Sequence, residues 1–175
     1  GMVYMRGKPS DYKNWKIATA DNLWDWESLL KNYIKLESNQ RIKNKFHGQE
    51  GPLKVSDPGF IAEGSKIYID TMKNLGLPFN DDFNNGNQYG TGYMQFTIDN
   101  GKRCDAVKAF LNPIIHNDKL KIFLKTIALK IIIENKKAIG VEILHKGKLE
   151  KVYANNEVIL TAGSLISPKL LMLSG

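Results

Sequence analysis

The sequence predicts a mixed α/β (α+β) fold that changes character near residue 118. Before that point, apolar residues recur at helical spacing within loop-rich surroundings; after it, short apolar runs alternate with turn residues, as strands do. At the end of the chain an apolar run, EVILTA at 157–162, enters GSLISPKLLMLSG at 163–175 with no loop between them. That junction reads as a strand leading directly into a helix.

The first expected helix lies in NLWDWESLLKNYIKLES at 22–38, where Trp26, Leu29, Leu30, Tyr33 and Leu36 share a face and Asp21 or Asn22 can cap the start. A second is expected over 59–75, with Ile61, Tyr68, Met72 and Leu75 as its stripe and Gly76 closing its end. Both read as packing elements. From 118 onward KLKIFL, IALKIIIE and AIGVEILH read as strands, with ENKK and HKGK as turns, followed by KLEKVYA and EVILTAG. No internal repeat or low-complexity tract interrupts the chain.

Composition is that of a globular protein: 175 residues, 42% apolar and 25% charged, enough for a sizeable core. The net charge of +7 raises the question of nucleic acid, but the excess is scattered lysine, with arginine only at Arg6, Arg41 and Arg103. Phosphate and base recognition relies on clustered cations and arginine forks, so the reading is no nucleic-acid partner. No apolar run reaches the roughly 18 residues of a membrane span, and no signal peptide is visible. The single cysteine, Cys104, excludes an internal disulfide and points to a reducing compartment, here read as cytoplasmic.

At the terminal junction Gly163 has no Cβ and tolerates unusual φ, and Ala162 and Ser164 keep the approach uncrowded. Pro168 suits the first turn of a helix that would bury Leu170, Leu171 and Leu173. Such a turn lets backbone come close to something flat or anionic, as in a dinucleotide pocket. An ordinary strand-to-helix turn can carry the same residues.

Four segments carry a resemblance. GMVYMRGKPSDYKNW at 1–15, FHGQEGPLKVSDP at 46–58, DDFNNGNQYGTGYMQFTIDNGKRCDA at 81–106 and the terminal GSLISPKLLMLSG resemble, in order, the glucose-methanol-choline (GMC) family of flavin oxidoreductases, above all its choline-dehydrogenase-like alcohol dehydrogenases. The resemblance implies FAD as cofactor and an alcohol, choline-like or otherwise, as substrate; it leaves the electron acceptor open. It divides the chain into a flavin-proximal segment and helix at 1–38, part of a substrate-binding domain at 39–117, and part of an FAD-binding domain at 118–175, the strand-rich C-terminal half. Gly1, Met2 and Val3 match the stretch that follows the family's first-signature asparagine and runs beside the flavin. Ala128 matches the adenine contact, made through backbone amide and carbonyl. Ala162 and Gly163 fall at the junction described above.

The glycine-rich GxGxxG turn and the catalytic histidine pair of the family have no counterpart in the sequence, which therefore reads as an internal piece of a longer enzyme, inactive alone. No catalytic residue is assigned within it. A binding domain that kept the fold without the chemistry is the alternative. His47 reads as a structural residue of its loop, His116 and His145 as solvated or hydrogen-bonding groups, and Asp81, Asp82 and Asp105 as turn and cap residues. Nothing has the spacing of a metal site, and Cys104 has no neighbouring histidine to make it a nucleophile.

Overall fold

Pro9, with its preset φ, opens the first helix of the computed structural model, which describes residues 1–175: α1, Pro9–Thr19, ending where Ala20 turns to a φ of 53°. Sequence periodicity gave no sign of α1, because only Tyr12 on it is buried and no apolar stripe repeats. The helix expected over 22–38 is split. Asp21 accepts the Leu23 N–H and caps a short 3-10 turn, Asn22–Trp24, and Asp25 accepts the Ser28 N–H at 2.8 Å to start α2, Trp26–Leu36. The second carboxylate, absent from the sequence reading, restarts the chain in a new direction.

Helix α3 runs Glu63–Asn74, with Gly76 beyond it at a φ of 93°. Its packed face is rotated from the expected stripe. Ile69 is its buried residue, Tyr68 and Leu75 are exposed, and Ile61 lies before the cap, because the contacts of the folded chain rather than the period choose the face.

Around these helices the chain builds two small two-stranded sheets and a few isolated bridges. Strand β1, Glu37–Asn39, runs parallel to β2, Leu53–Val55. Phe96 pairs with Ser56 on one side and with Val3 on the other. A hairpin of β3, Ile98–Asp99, and β4, Lys102–Arg103, turns on Asn100 and Gly101, both at positive φ. The loop between β1 and β2 returns so close that a Cβ on Gly48 would meet the carbonyls of Ile34 and Glu37, and one on Gly51 that of Leu36. These elements form one unit, Gly1–Asn117.

The second unit, Asp118–Gly175, is an antiparallel meander with one helix. Strands β5, Thr126–Glu134, β6, Lys137–His145, and β7, Lys148–Tyr153, are joined by two-residue turns at Asn135–Lys136 and Lys146–Gly147, all four at positive φ, as type I′ hairpins require. Helix α4, Gly163–Ser174, packs on β5: Ser174 Oγ accepts the Ile131 N–H at 2.8 Å, and Ile131, Ile143 and Leu170 form the buried core.

Two expected strands are absent. KLKIFL at 119–124 has no ladder partner; instead Phe123 meets His145 edge to face, and Lys125 reverses the chain at a φ of 53°. EVILTA at 157–162 is likewise unpaired, with Ile159 exposed. A strand exists only where a second segment satisfies its N–H and C=O groups, and none in this chain does so there. No helix is long and apolar enough to cross a membrane.

Candidate functional site

In the second unit, Gly163 begins α4 at a φ of +90°, in a region that L side chains rarely occupy, and a Cβ built on it would touch nothing. Ala162, at φ −78° and ψ 4°, and Ser164 flank it, and all three residues are exposed. The first N–H groups of α4 have no acceptor within the helix and open onto this uncrowded surface. Pro168 is not in the first turn, because the helix already begins at Gly163; it sits in the interior, where it has no N–H for the Ser164 carbonyl. Leu170 is buried as expected, whereas Leu171 and Leu173 are exposed, since only one side of α4 meets β5.

Ala128 lies on β5, opposite Ile143 on β6, with its own side chain exposed. β5 is one of the two outer strands of the meander. The register shifts between Ala128 and Lys130, so Leu129 is an extra residue with no partner of its own. Such a bulge bends a strand and redirects its backbone groups.

In the first unit, Gly1 and Val3 are exposed and Met2 is half-buried. The Thr97 N–H donates to the Met2 carbonyl at 2.7 Å and the Tyr4 N–H to the Gln95 carbonyl at 2.8 Å. These two bonds flank the Val3–Phe96 pair, which is therefore the non-hydrogen-bonded kind, with the N–H and C=O of Val3 directed away from Phe96. Neither group has a partner within the chain. Val3 thus presents an open backbone edge.

Behind that edge lies a set of buried ionic groups that the sequence did not reveal. The Arg6 guanidinium donates to Glu37 at 2.6 Å and to the Phe46 carbonyl at 2.7 Å, and both members of the ion pair are almost fully buried. His47 stands between two carboxylates, Nδ1 at 3.0 Å from Glu37 and Nε2 at 3.0 Å from Asp82. The Asn39 amide gives its two hydrogens to Glu37 and Gln95, at 2.9 and 2.8 Å, so neither is left to donate to His47 Nδ1, 3.2 Å away. With an anion at each nitrogen, the imidazolium is the form that satisfies both contacts. Burial pulls the His47 pKa down, but the bonds its ring donates to Asp82 and Glu37 outweigh it and hold it above the ordinary histidine value. Burial likewise opposes ionisation of Asp82, yet the His47 bond and the Asn84 N–H hold its pKa below the usual carboxylate range.

Thus Asp82 is more than a turn residue: it is the counter-ion of a buried histidine. Asp105 accepts the Lys108 N–H, a local cap, and Asp81 pairs with Arg41. His145 Nδ1 meets Thr126 Oγ1 at 2.6 Å, and His116 is exposed. Cys104 is buried with its sulfur facing the Lys54 N–H at 3.4 Å. No group of three or more histidine, cysteine or carboxylate side chains is arranged to hold a metal ion.

The candidate groups are thus mainly backbone edges on exposed residues, Met2 being half-buried with its carbonyl bonded to Thr97, and such edges suit a flat, extended cofactor. Residues 1–175 match the sequence profile of the GMC oxidoreductase family from end to end, and the chain belongs to that family. It is 37% identical over 177 aligned residues to an alcohol dehydrogenase (acceptor) of Pseudomonas putida, covering 99% of this chain and 32% of that protein. It is 38% identical over 175 residues to an oxygen-dependent choline dehydrogenase of Rhizobium johnstonii, covering 100% of this chain and 32% of that one. Among solved structures it is similar to pyridoxine 4-oxidase from Mesorbium loti, with a TM-score of 0.92, 31% identity, and coverage of 99% and 34% of the two chains. It is also similar to an FAD-dependent oxidoreductase from Chaetomium thermophilum, with a TM-score of 0.91, 29% identity, and coverage of 99% and 32%. The chain spans about a third of the length of these relatives. FAD is the cofactor of the family.

Proposed function

We propose that this chain carries part of the FAD site of an alcohol oxidoreductase that oxidises a CH–OH group, with choline or another small alcohol as substrate. The observation that carries the reading is the start of α4: a residue at a φ of +90° with open space where a Cβ would stand, next to helix N–H groups without acceptors. That arrangement fits an approach of backbone to the nucleotide, as a helix N-terminus favours anionic groups. Ala162 and Gly163 would line the cofactor without side-chain bulk. Ala128, exposed beside a bulge, would offer its backbone amide and carbonyl to the adenine. Gly1, Met2 and Val3 would run along the flavin, with Val3 supplying its unpartnered backbone groups.

Residues 118–175 are assigned on this reading to the FAD-binding domain, 39–117 to a substrate-binding domain, and 1–38 to a flavin-proximal segment. FAD, when bound, supplies the hydride acceptor. The residues of this chain hold and orient it and keep bulk away from it. None of them is assigned the role of the base that takes the hydroxyl proton.

Mixing the complete flavoenzyme anaerobically with a panel of small alcohols, choline among them, tests the reading. Bleaching of the oxidised-flavin absorption by at least one of them is expected. An enzyme that retains FAD but is bleached by none would be a binding domain with the fold and without the chemistry.

A further inference from the structure

A ring of hydrogen bonds in the first unit begins and ends on Arg6. Its guanidinium reaches Glu37 at 2.6 Å, Glu37 meets His47 Nδ1 at 3.0 Å, and His47 Nε2 meets one oxygen of Asp82 at 3.0 Å. The other Asp82 oxygen accepts the Asn84 N–H at 2.9 Å, and Asn84 Oδ1 accepts the Arg6 N–H at 2.8 Å, which closes the circuit. Two cations face two anions, so the ring is neutral overall and its burial is tolerable. Every ionic member has its charge matched by a neighbour in the ring.

The ring grips the N-terminal segment through one side chain. Asn84 accepts from the Arg6 N–H through Oδ1 and donates to the Tyr4 carbonyl through Nδ2 at 3.1 Å. On the other side, Met2 and Tyr4 are bonded to Thr97 and Gln95. Val3, whose backbone groups have no partner, is therefore fixed from both flanks, and the direction in which they point depends on where Tyr4 and Arg6 are held. Asn84 is itself held by Asp82, which is held by His47.

We propose that Asn84 is a positioning residue for the cofactor: backed by the ionic ring, it clamps Tyr4 and Arg6 and so sets the angle at which the Val3 backbone meets FAD. This rests on the assignment of Gly1–Val3 to the FAD site. The ring then transmits order from the buried interior of the unit to an exposed edge that has no side-chain means of fixing itself.

Three variants of the complete flavoenzyme test the proposal: Asn84→Ala, Val3→Pro, which removes the Val3 N–H, and Ile69→Ala, a core change on α3 outside the ring. FAD dissociation constant, visible flavin spectrum and thermal midpoint are measured for each. Asn84→Ala and Val3→Pro should each raise the dissociation constant about tenfold and shift the flavin bands, whereas Ile69→Ala should change neither at a comparable loss of thermal midpoint. If Asn84→Ala behaves as Ile69→Ala does while Val3→Pro still weakens FAD, the ring is only structural and the proposal is overturned. If Val3→Pro leaves affinity and spectrum unchanged, the placement of Gly1–Val3 itself fails, and the proposal with it. Asn84→Ser, too short to bridge Tyr4 and Arg6 together, replaces Asn84→Ala if the latter does not fold, and is read against the same outcomes.

Discussion

The two units solve the same problem with different chemistry. Gly1–Asn117 is built largely of loops, and all the buried polar and charged side chains belong to it: Arg6, Glu37, Asn39, His47, Asn84 and Gln95 among them. No buried side-chain nitrogen or oxygen lacks a partner, so loops that could not pair with each other are satisfied by side chains instead. Asp118–Gly175 relies on its ladder and on Ile131, Ile143 and Leu170, and leaves Leu165 and Met172 of α4 each 83% exposed. Side chains hold the first unit; backbone pairing holds the second. The candidate cofactor contacts are backbone groups in both, but in the first unit their placement depends on ionised side chains far along the sequence.

The largest effect should come from breaking that dependence. Glu37→Ala leaves the Arg6 and His47 cations buried without their shared anion and should destabilise the chain by about 3–5 kcal/mol, measured by urea unfolding. Its counterpart in the second unit, Ile143→Ala, removes only apolar packing and should cost about 2–4 kcal/mol. A Glu37 variant no worse than a surface change would erase the contrast between the units.

The two units should also respond differently to pH. The His47 pKa is raised in the folded state, so its contribution is complete below the ordinary histidine value of about 6.5 and is lost as pH rises through the raised value. The Asp82 pKa is lowered, so its contribution is present above the ordinary value of about 3.9 and is lost as pH falls through the lowered one. Unfolding free energy measured against pH should therefore hold level between these limits and decline on the alkaline side. His47→Gln should remove the alkaline decline, and a variant that keeps it would show that another group is responsible.

Smaller effects should separate cofactor contacts from folding. Gly163→Val places a branched residue at a φ of +90°, which costs the fold about 1–2 kcal/mol of strain, yet flavin content in the complete enzyme should fall further than the thermal midpoint implies. Ala128→Val should be nearly silent, since a β-branched residue suits β5 and leaves the backbone groups in place, while Ala128→Pro removes the amide and should weaken FAD measurably. Equal losses for the two Ala128 variants, or a larger one for valine, would move the adenine contact to another residue.

What the sequence disclosed follows from how local each feature is. The ENKK and HKGK turns and strands β5 to β7 were readable because turn chemistry and alternation act over a few residues, and the special backbone at Gly163 is announced by the glycine itself. KLKIFL and EVILTA have equally good patterns and are not strands, because a ladder needs a partner that no local pattern supplies. Helix α1 was missed because its start depends on Pro9 rather than on an apolar stripe. The ionic ring was hidden for the strongest reason: Arg6 and Asn84 are 78 positions apart, and Glu37 looks in sequence like the polar end of a helix. Glu37, Ser38 and Asn39 form a strand that is wholly buried, and three polar residues in a row carry no sign of burial in the sequence.

Backbone amide hydrogen exchange in the complete flavoenzyme, with and without FAD, tests most directly the claim that this chain meets its cofactor through open backbone edges. FAD should slow exchange at Val3, Ala128 and Gly163 while the amides of Asn84 and Gly48, already bonded within the first unit, change little. Protection that appears elsewhere and leaves those three amides exchanging as in the apoprotein would contradict that claim.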